Sequence, residues 1–138
     1  VVLERLGLGE AVRQHGEQWQ AQQGIACELE LDAALPRLRD EARAHVYRLL
    51  QEALTNVARH AGARGVRIGL TCRGALLCLE VCDDGRGLPA ELREGVGLRS
   101  MRERARCLGG ALQLHGAAPR GLRLCVDIPW REWTTCTS

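Results

Sequence analysis

At 138 residues, with 46% hydrophobic and 26% charged residues, the chain has the size and composition of one soluble globular domain around a single core. Its 19 basic residues, all Arg, nearly balance 17 acidic ones, and its aromatics are only Trp19, Tyr47, Trp130 and Trp133; this argues against a basic, stacking-rich nucleic-acid surface. No apolar run approaches the ~18 residues of a membrane span, and the opening Val-Val-Leu-Glu, without Met or an apolar leader, reads as part of a longer, cytosolic protein.

Taken in chain order, Leu8, Val12 and Trp19 mark an amphipathic helix over 8–23 that stops at Gly24. Ile25, Cys27, Leu29 and Leu31 alternate with Ala26, Glu28 and Glu30 as a half-buried strand does. Past Pro36, Asp40 is expected to cap a long helix running to about His60 and ended by Ala61-Gly62. Strands are predicted over 66–72 and 76–82, joined as a hairpin at Arg73-Gly74. A helix over 98–108 ends at Gly109-Gly110, and two strands, 111–115 and 122–128, close the domain at Pro129. The expected organisation is a domain over 1–129 with a tail over 130–138. Its fold class is α+β, a two-layer sandwich with a mixed, mostly antiparallel sheet covered on one face by about three helices.

The seven cysteines form no Cys-x-x-Cys and no zinc spacing with the four histidines. They read as small buried hydrophobes in a reducing compartment. Cys78 and Cys82 share a strand face, which leaves a thiol or metal pair open, and Cys136 in the polar tail is the expected exposed thiol.

Three segments are candidates for chemistry. On the long helix, Val46, Leu49, Leu50, Ala53 and Val57 form the apolar stripe, while Glu52, Asn56 and Arg59 fall within about 60° of one another at 100° per residue. A carboxylate, an amide oxygen and a guanidinium in one column suit a hydrated Mg2+ beside phosphates; a solvated polar face is the plainer alternative. Asp83-Asp84-Gly85-Arg86-Gly87 at a strand exit is either a tight turn or an Asp that accepts from an exocyclic amine, with glycines admitting a flat ring. Gly95-Val96-Gly97-Leu98 opens a helix whose free amides favour phosphate, or simply begins an Arg-rich exposed helix.

In their order, Glu52-x-x-x-Asn56-x-x-Arg59-His60, Asp83-x-Gly85-x-Gly87 and Gly95-x-Gly97-Leu98-x-x-Met101 resemble the three nucleotide boxes of the GHKL (Bergerat-fold) ATPases. Within that superfamily, Gln51-Glu52-Ala53-Leu54-Thr55-Asn56-Val57-x-Arg59-His60-Ala61 and the run from Gly97 to Gly110 are similar to the sensor histidine kinases paired with LuxR-type (NarL-like) response regulators. The resemblance covers about residues 3–129. It implies an enzyme: the catalytic domain of a protein histidine kinase, with ATP and Mg2+ as cofactors. Asn56 would hold the Mg2+, Arg59 and His60 would line the phosphate path, and Glu52, at the position of the family's polarising base, would prepare the attacking nucleophile or help organise the metal's water. Asp83 would take the adenine amine in a site shaped by Gly85 and Gly87, and Gly95, Gly97 and Leu98 would meet the phosphates through backbone amides.

The same resemblance implies the partners. They are the dimerisation and phosphoacceptor domain of the parent protein and a LuxR-type regulator, with no nucleic acid. The isolated domain is expected to be a monomer, and the parent a homodimer that can be membrane-attached. Two departures stand out. Gly121-Leu122 replaces the family's Gly-Thr, removing a hydroxyl beside the Asp, and none of His15, His45, His60 or His115 lies in a phosphoacceptor context. The alternatives are a degenerate module that signals by contact without turnover, for which Leu122 speaks, and a serine kinase of the anti-sigma-factor type.

Overall fold

The computed structural model describes residues 7–86, 96–116 and 120–134. Helix α1 (Leu8–Gln23) leads into strand β1 (Ala26–Leu31), and helix α2 (Asp40–Asn56) runs on into a π-helical turn (Val57–Ala61). Strands β2 (Gly65–Arg73) and β3 (Leu76–Asp83), helix α3 (Val96–Cys107), and strands β4 (Ala111–Gly116) and β5 (Leu122–Pro129) follow, then a 3-10 turn (Trp130–Trp133). The order of its α-helices and strands is the one read from the sequence.

The strands make one five-stranded sheet in the order β1-β2-β3-β5-β4. β1 and β2 run parallel and every other neighbouring pair antiparallel. A parallel pair needs a crossover, and α2 supplies it between β1 and β2. The β2–β3 hairpin turns at Gly74, whose φ of 58° lies in the left-handed region that glycine adopts without a Cβ penalty.

Strand alternation decides the core. Val66, Ile68 and Leu70 of β2, Leu77, Leu79 and Val81 of β3, and Leu124, Val126 and Ile128 of β5 are buried on one face of the sheet. They form one cluster with the helical stripes: Leu8, Val12 and Trp19 of α1, Val46, Leu49, Leu50 and Ala53 of α2, and Leu98, Met101 and Ala105 of α3. Each buried Leu, Ile, Val or Met among them is worth about 1.5–3 kcal/mol in apolar surface removed from water. The result is the two-layer α/β sandwich expected.

Four local expectations are revised. Arg39, in extended conformation, occupies the cap position of α2, and Asp40 is its first helical residue, where its charge still favours the helix start. α3 begins at Val96, two residues earlier than predicted from the sequence. The expected tail stays on the body through Thr134. Trp130 Nε1 donates to the Gly74 carbonyl at 2.8 Å and Trp133 Nε1 to that of Leu108 at 2.9 Å, while Thr134 bridges Leu38. The end of the predicted tail, 135–138 with Cys136, lies outside the described residues. Finally, Cys78 and Cys82 do not make a pair. Four residues along one strand is about 13 Å, far beyond the reach of a disulfide, and both are free thiols.

Candidate functional site

The same alternation that builds the core delivers Asp83. β3 buries every second residue, and Asp83 is the next position after Leu77, Leu79 and Val81. It is 5% exposed and is the one buried charged side chain among the described residues. Gly85, itself buried, donates its N–H to Asp83 Oδ1 at 2.8 Å, closing a tight turn at the strand exit. Burial pushes the Asp83 carboxyl above its ordinary value, against the N–H groups of Gly85 and Leu122, which favour the charged form.

Leu122 faces Asp83 directly across the β3–β5 ladder and is half-buried. Just before it, Gly121 has φ +123°, and a Cβ there would lie 2.0 Å from the Asp83 carbonyl oxygen. Only glycine fits this close approach, so the Gly121-Leu122 step is shaped by the backbone around Asp83.

The neighbouring Asp84 points the other way and does structural work. Its Oδ1 accepts from the N–H groups of Arg64 at 2.9 Å and Gly65 at 3.1 Å, tying the exit of β3 to the start of β2. Those two N–H groups, Gly65 first, hold its carboxyl below the ordinary range.

The π-helical turn that follows α2 closes near this strand exit. Gly62, left-handed at φ 60°, ends the π-helical turn beside Arg86, whose guanidinium lies about 3.5 Å from where a Gly62 Cβ would be. Asn56 is half-buried as the last α-helical residue. Arg59 is exposed in the π-helical turn. There the i→i+5 pattern widens the helix, so the 100° step that aligned Arg59 with Glu52 and Asn56 ends at Asn56. His60 lies in the same turn, and its side chain falls outside the description.

Glu52 is half-buried one turn before Asn56 and is held from α3. Ser100 Oγ donates to Glu52 Oε1 at 3.1 Å, and Arg104 Nε lies 3.9 Å from the same oxygen. Arg104 in turn reaches His45 Nδ1 with Nη1 at 3.3 Å. Gly97 and Leu98 sit in the first turn of α3, where backbone amides lack helical acceptors, while the Leu98 side chain is 2% exposed in the core. Gly87 and Gly95 lie outside the described residues.

The structure therefore gathers Asp83, Gly85 and the close of the π-helical turn after α2 at the exit of the central strand β3, and joins Glu52 to α3. Sequence reasoning missed Asp84, Gly121, Ser100 and Arg104. Ser100 and Arg104 are one helical turn apart, a pattern the sequence does carry, but their partner Glu52 is 48 residues from Ser100.

Burial, and then a hydrogen bond with Asp127, pushes Cys78 up to about 12, which leaves it protonated and unreactive. No group of three or more His, Cys, Asp or Glu among the described residues is arranged to hold a metal by itself.

Residues 41–132 match the family described as "Histidine kinase-, DNA gyrase B-, and HSP90-like ATPase". The chain is 37% identical over 139 residues to the sensor histidine kinase NarS of Mycobacterium tuberculosis, covering 95% of this chain and 31% of that protein. It is 32% identical over 132 residues to the sensor histidine kinase LiaS of Bacillus subtilis, covering 94% and 36%. It thus spans about a third of the length of these relatives. The histidine kinase domain of the blue-light activated histidine kinase of Erythrobacter litoralis superposes with a TM-score of 0.77 at 24% identity, over 91% of this chain and 62% of that one. The last likeness shows a shared fold.

Proposed function

Because the chain belongs to the family of histidine kinase-, DNA gyrase B- and HSP90-like ATPases, we propose that it is the ATP-binding catalytic domain of a sensor histidine kinase. Its reaction is transfer of the ATP γ-phosphate to a histidine on a dimerisation domain outside this chain, for relay to a LuxR-type response regulator. The carrying observation is Asp83, a carboxylate kept in the apolar layer at a cost to folding where a strand ends.

The donor set fits both cofactors. A carboxylate has about four acceptor positions, and Asp83 uses two for the N–H groups of Gly85 and Leu122, leaving capacity for the adenine amine. Gly85 and Gly87 keep side chains out of the ring's way. Magnesium binds through one or two protein oxygens plus substrate phosphates rather than in an all-protein cage. Asn56 offers such an oxygen, and when bound there the cation would neutralise phosphate charge. Arg59, His60, Gly95 and the first-turn amides of α3 at Gly97 and Leu98 would complete the phosphate environment. Glu52 would either prepare the attacking imidazole, by accepting from the N–H of its other ring nitrogen, or help organise the metal's water. Positioning and charge stabilisation carry most of the acceleration in phosphoryl transfer. A cytoplasmic location follows from this role, and among the described residues no helix is long and apolar enough to cross a membrane.

Calorimetric titration of the chain with Mg2+ and a non-hydrolysable ATP analogue tests the proposal. Hydrogen bonds to charged groups are worth about 1.5–3 kcal/mol, so Asp83→Asn is expected to weaken binding by roughly tenfold or more, and Asn56→Ala to remove its dependence on Mg2+. Leu122, directly opposite Asp83, favours a second reading, a module that signals by contact without turnover. Absence of binding at millimolar analogue would select it.

A further inference from the structure

Glu52 is held by side chains of a different helix. Its Oε1 takes the Ser100 hydroxyl at 3.1 Å and faces Arg104 Nε at 3.9 Å. Its Oε2 and Arg104 Nε are both fully occluded and without a hydrogen-bond partner among the described residues. Arg104 is braced from the other side by His45 Nδ1 at 3.3 Å. His45 and Glu52 are seven residues apart on α2, two turns along one face, so the guanidinium is inserted between two side chains of that helix. Ser100 and Arg104 are four residues apart on α3 and so lie on one face of it.

On a solvated face such a glutamate would sample several rotamers. Here an (i, i+4) pair from the facing helix restrains it, and an occluded carboxylate oxygen without a donor keeps the cluster poised rather than fully satisfied. The two restraining residues lie one and two turns into α3, whose first turn holds Gly97 and Leu98. Any shift of α3 therefore moves the groups that aim the carboxylate.

Resting on the nucleotide-binding reading above, we propose that Ser100 and Arg104 are positioning residues for Glu52, and that engagement of phosphate at the start of α3 sets the aim of its carboxylate through them. Neither touches the reacting atoms. The two-residue clamp converts occupancy of the phosphate end into orientation of the carboxylate.

The test follows the Glu52 side-chain carboxyl carbon by NMR in the 138-residue chain, with the resonance assigned by its loss in Glu52→Gln. Saturating Mg2+ and non-hydrolysable ATP analogue is expected to shift it in the wild type. In Arg104→Gln the analogue should bind within about twofold of the wild-type affinity, yet the nucleotide-dependent shift should be lost. Arg104→Lys should restore part of it, and Ser100→Ala, a smaller change that spares the core, should reduce it by about half. A full shift in Ser100→Ala and Arg104→Gln with binding intact overturns the clamp. Failure of the wild type to bind the analogue overturns the nucleotide reading instead, a result visible in the affinity measurement alone.

Discussion

Asp83 and Asp84 are adjacent carboxylates with opposite effects on folding, because a strand turns successive side chains to opposite sides. Burial raises the folded-state pKa of Asp83. A raised carboxylate contributes stability in its protonated form, present below the unfolded value of about 3.8 and lost as pH rises through the folded one. Two backbone N–H groups lower that of exposed Asp84, so its contribution is present above the unfolded value and lost as pH falls through the folded one. Asp83→Asn removes only the first titration. Its melting temperature relative to wild type is expected to climb as pH rises from the ordinary carboxylate value toward neutrality, measured as paired thermal melts; a flat or falling difference would contradict the burial argument.

The residue facing Asp83 gives a second prediction. Leu122→Thr adds a hydroxyl opposite the carboxylate, and one hydrogen bond of ~1 kcal/mol should tighten nucleotide binding about fivefold in a titration. The inward place of Asp83 was legible in the alternation of Leu77, Leu79 and Val81. The roles of Asp84 and Gly121 were not, since they depend on backbone groups of β2 and β3 brought close only by sheet pairing.

Among the elements, those with a clean period were readable and those without one were not. α1 begins and ends where Leu8 and Gly24 said it would, and the apolar stripe of α2 is buried residue for residue. The π-helical turn after Asn56 has no signature in a 3.6-residue pattern, so Arg59 was put in register with a helix that had already widened. The 3-10 turn after β5 was missed for a different reason. Its Trp130 and Trp133 sit among polar residues, and their indole N–H groups find carbonyls on the β2–β3 turn and at the end of α3. Arg39 lies over the Trp133 ring at 5.1 Å and donates its backbone N–H to the Trp133 carbonyl at 2.6 Å. This clasp joins the start of α2 to the end of α3, the two helices that share the Glu52 cluster. Trp133→Ala is expected to lower stability by about 1–2 kcal/mol through lost apolar contact and one hydrogen bond, read from denaturant unfolding. An unchanged midpoint would return the segment to the status of a tail.

At the scale of the molecule, the chain has the parts proposed for gripping a nucleotide and none of the sequence context proposed for accepting phosphate. His15 is half-buried against Tyr47 at 3.3 Å, with burial lowering its pKa, and His45 is engaged by Arg104. His115 is exposed on β4, at the far edge of the sheet. Incubation of the chain with Mg2+ and γ-labelled ATP is therefore expected to leave these histidines essentially unlabelled, with strong labelling of any of them contradicting the division of labour. Fold class was legible because the order of helices and strands restricts the layers available. The joining of α2 to α3 around Glu52 was not, because contacts across that distance in sequence leave no periodic trace.

The central claim is that Asp83 reads a purine while the end of α2 and the start of α3 hold its phosphates. A crystal structure of the chain with Mg2+ and a non-hydrolysable ATP analogue tests this most directly. The account predicts the purine's exocyclic amine within hydrogen-bond distance of the Asp83 carboxylate and the cation within reach of the Asn56 side-chain oxygen. A nucleotide seated elsewhere, or a cation that bypasses Asn56, would contradict it.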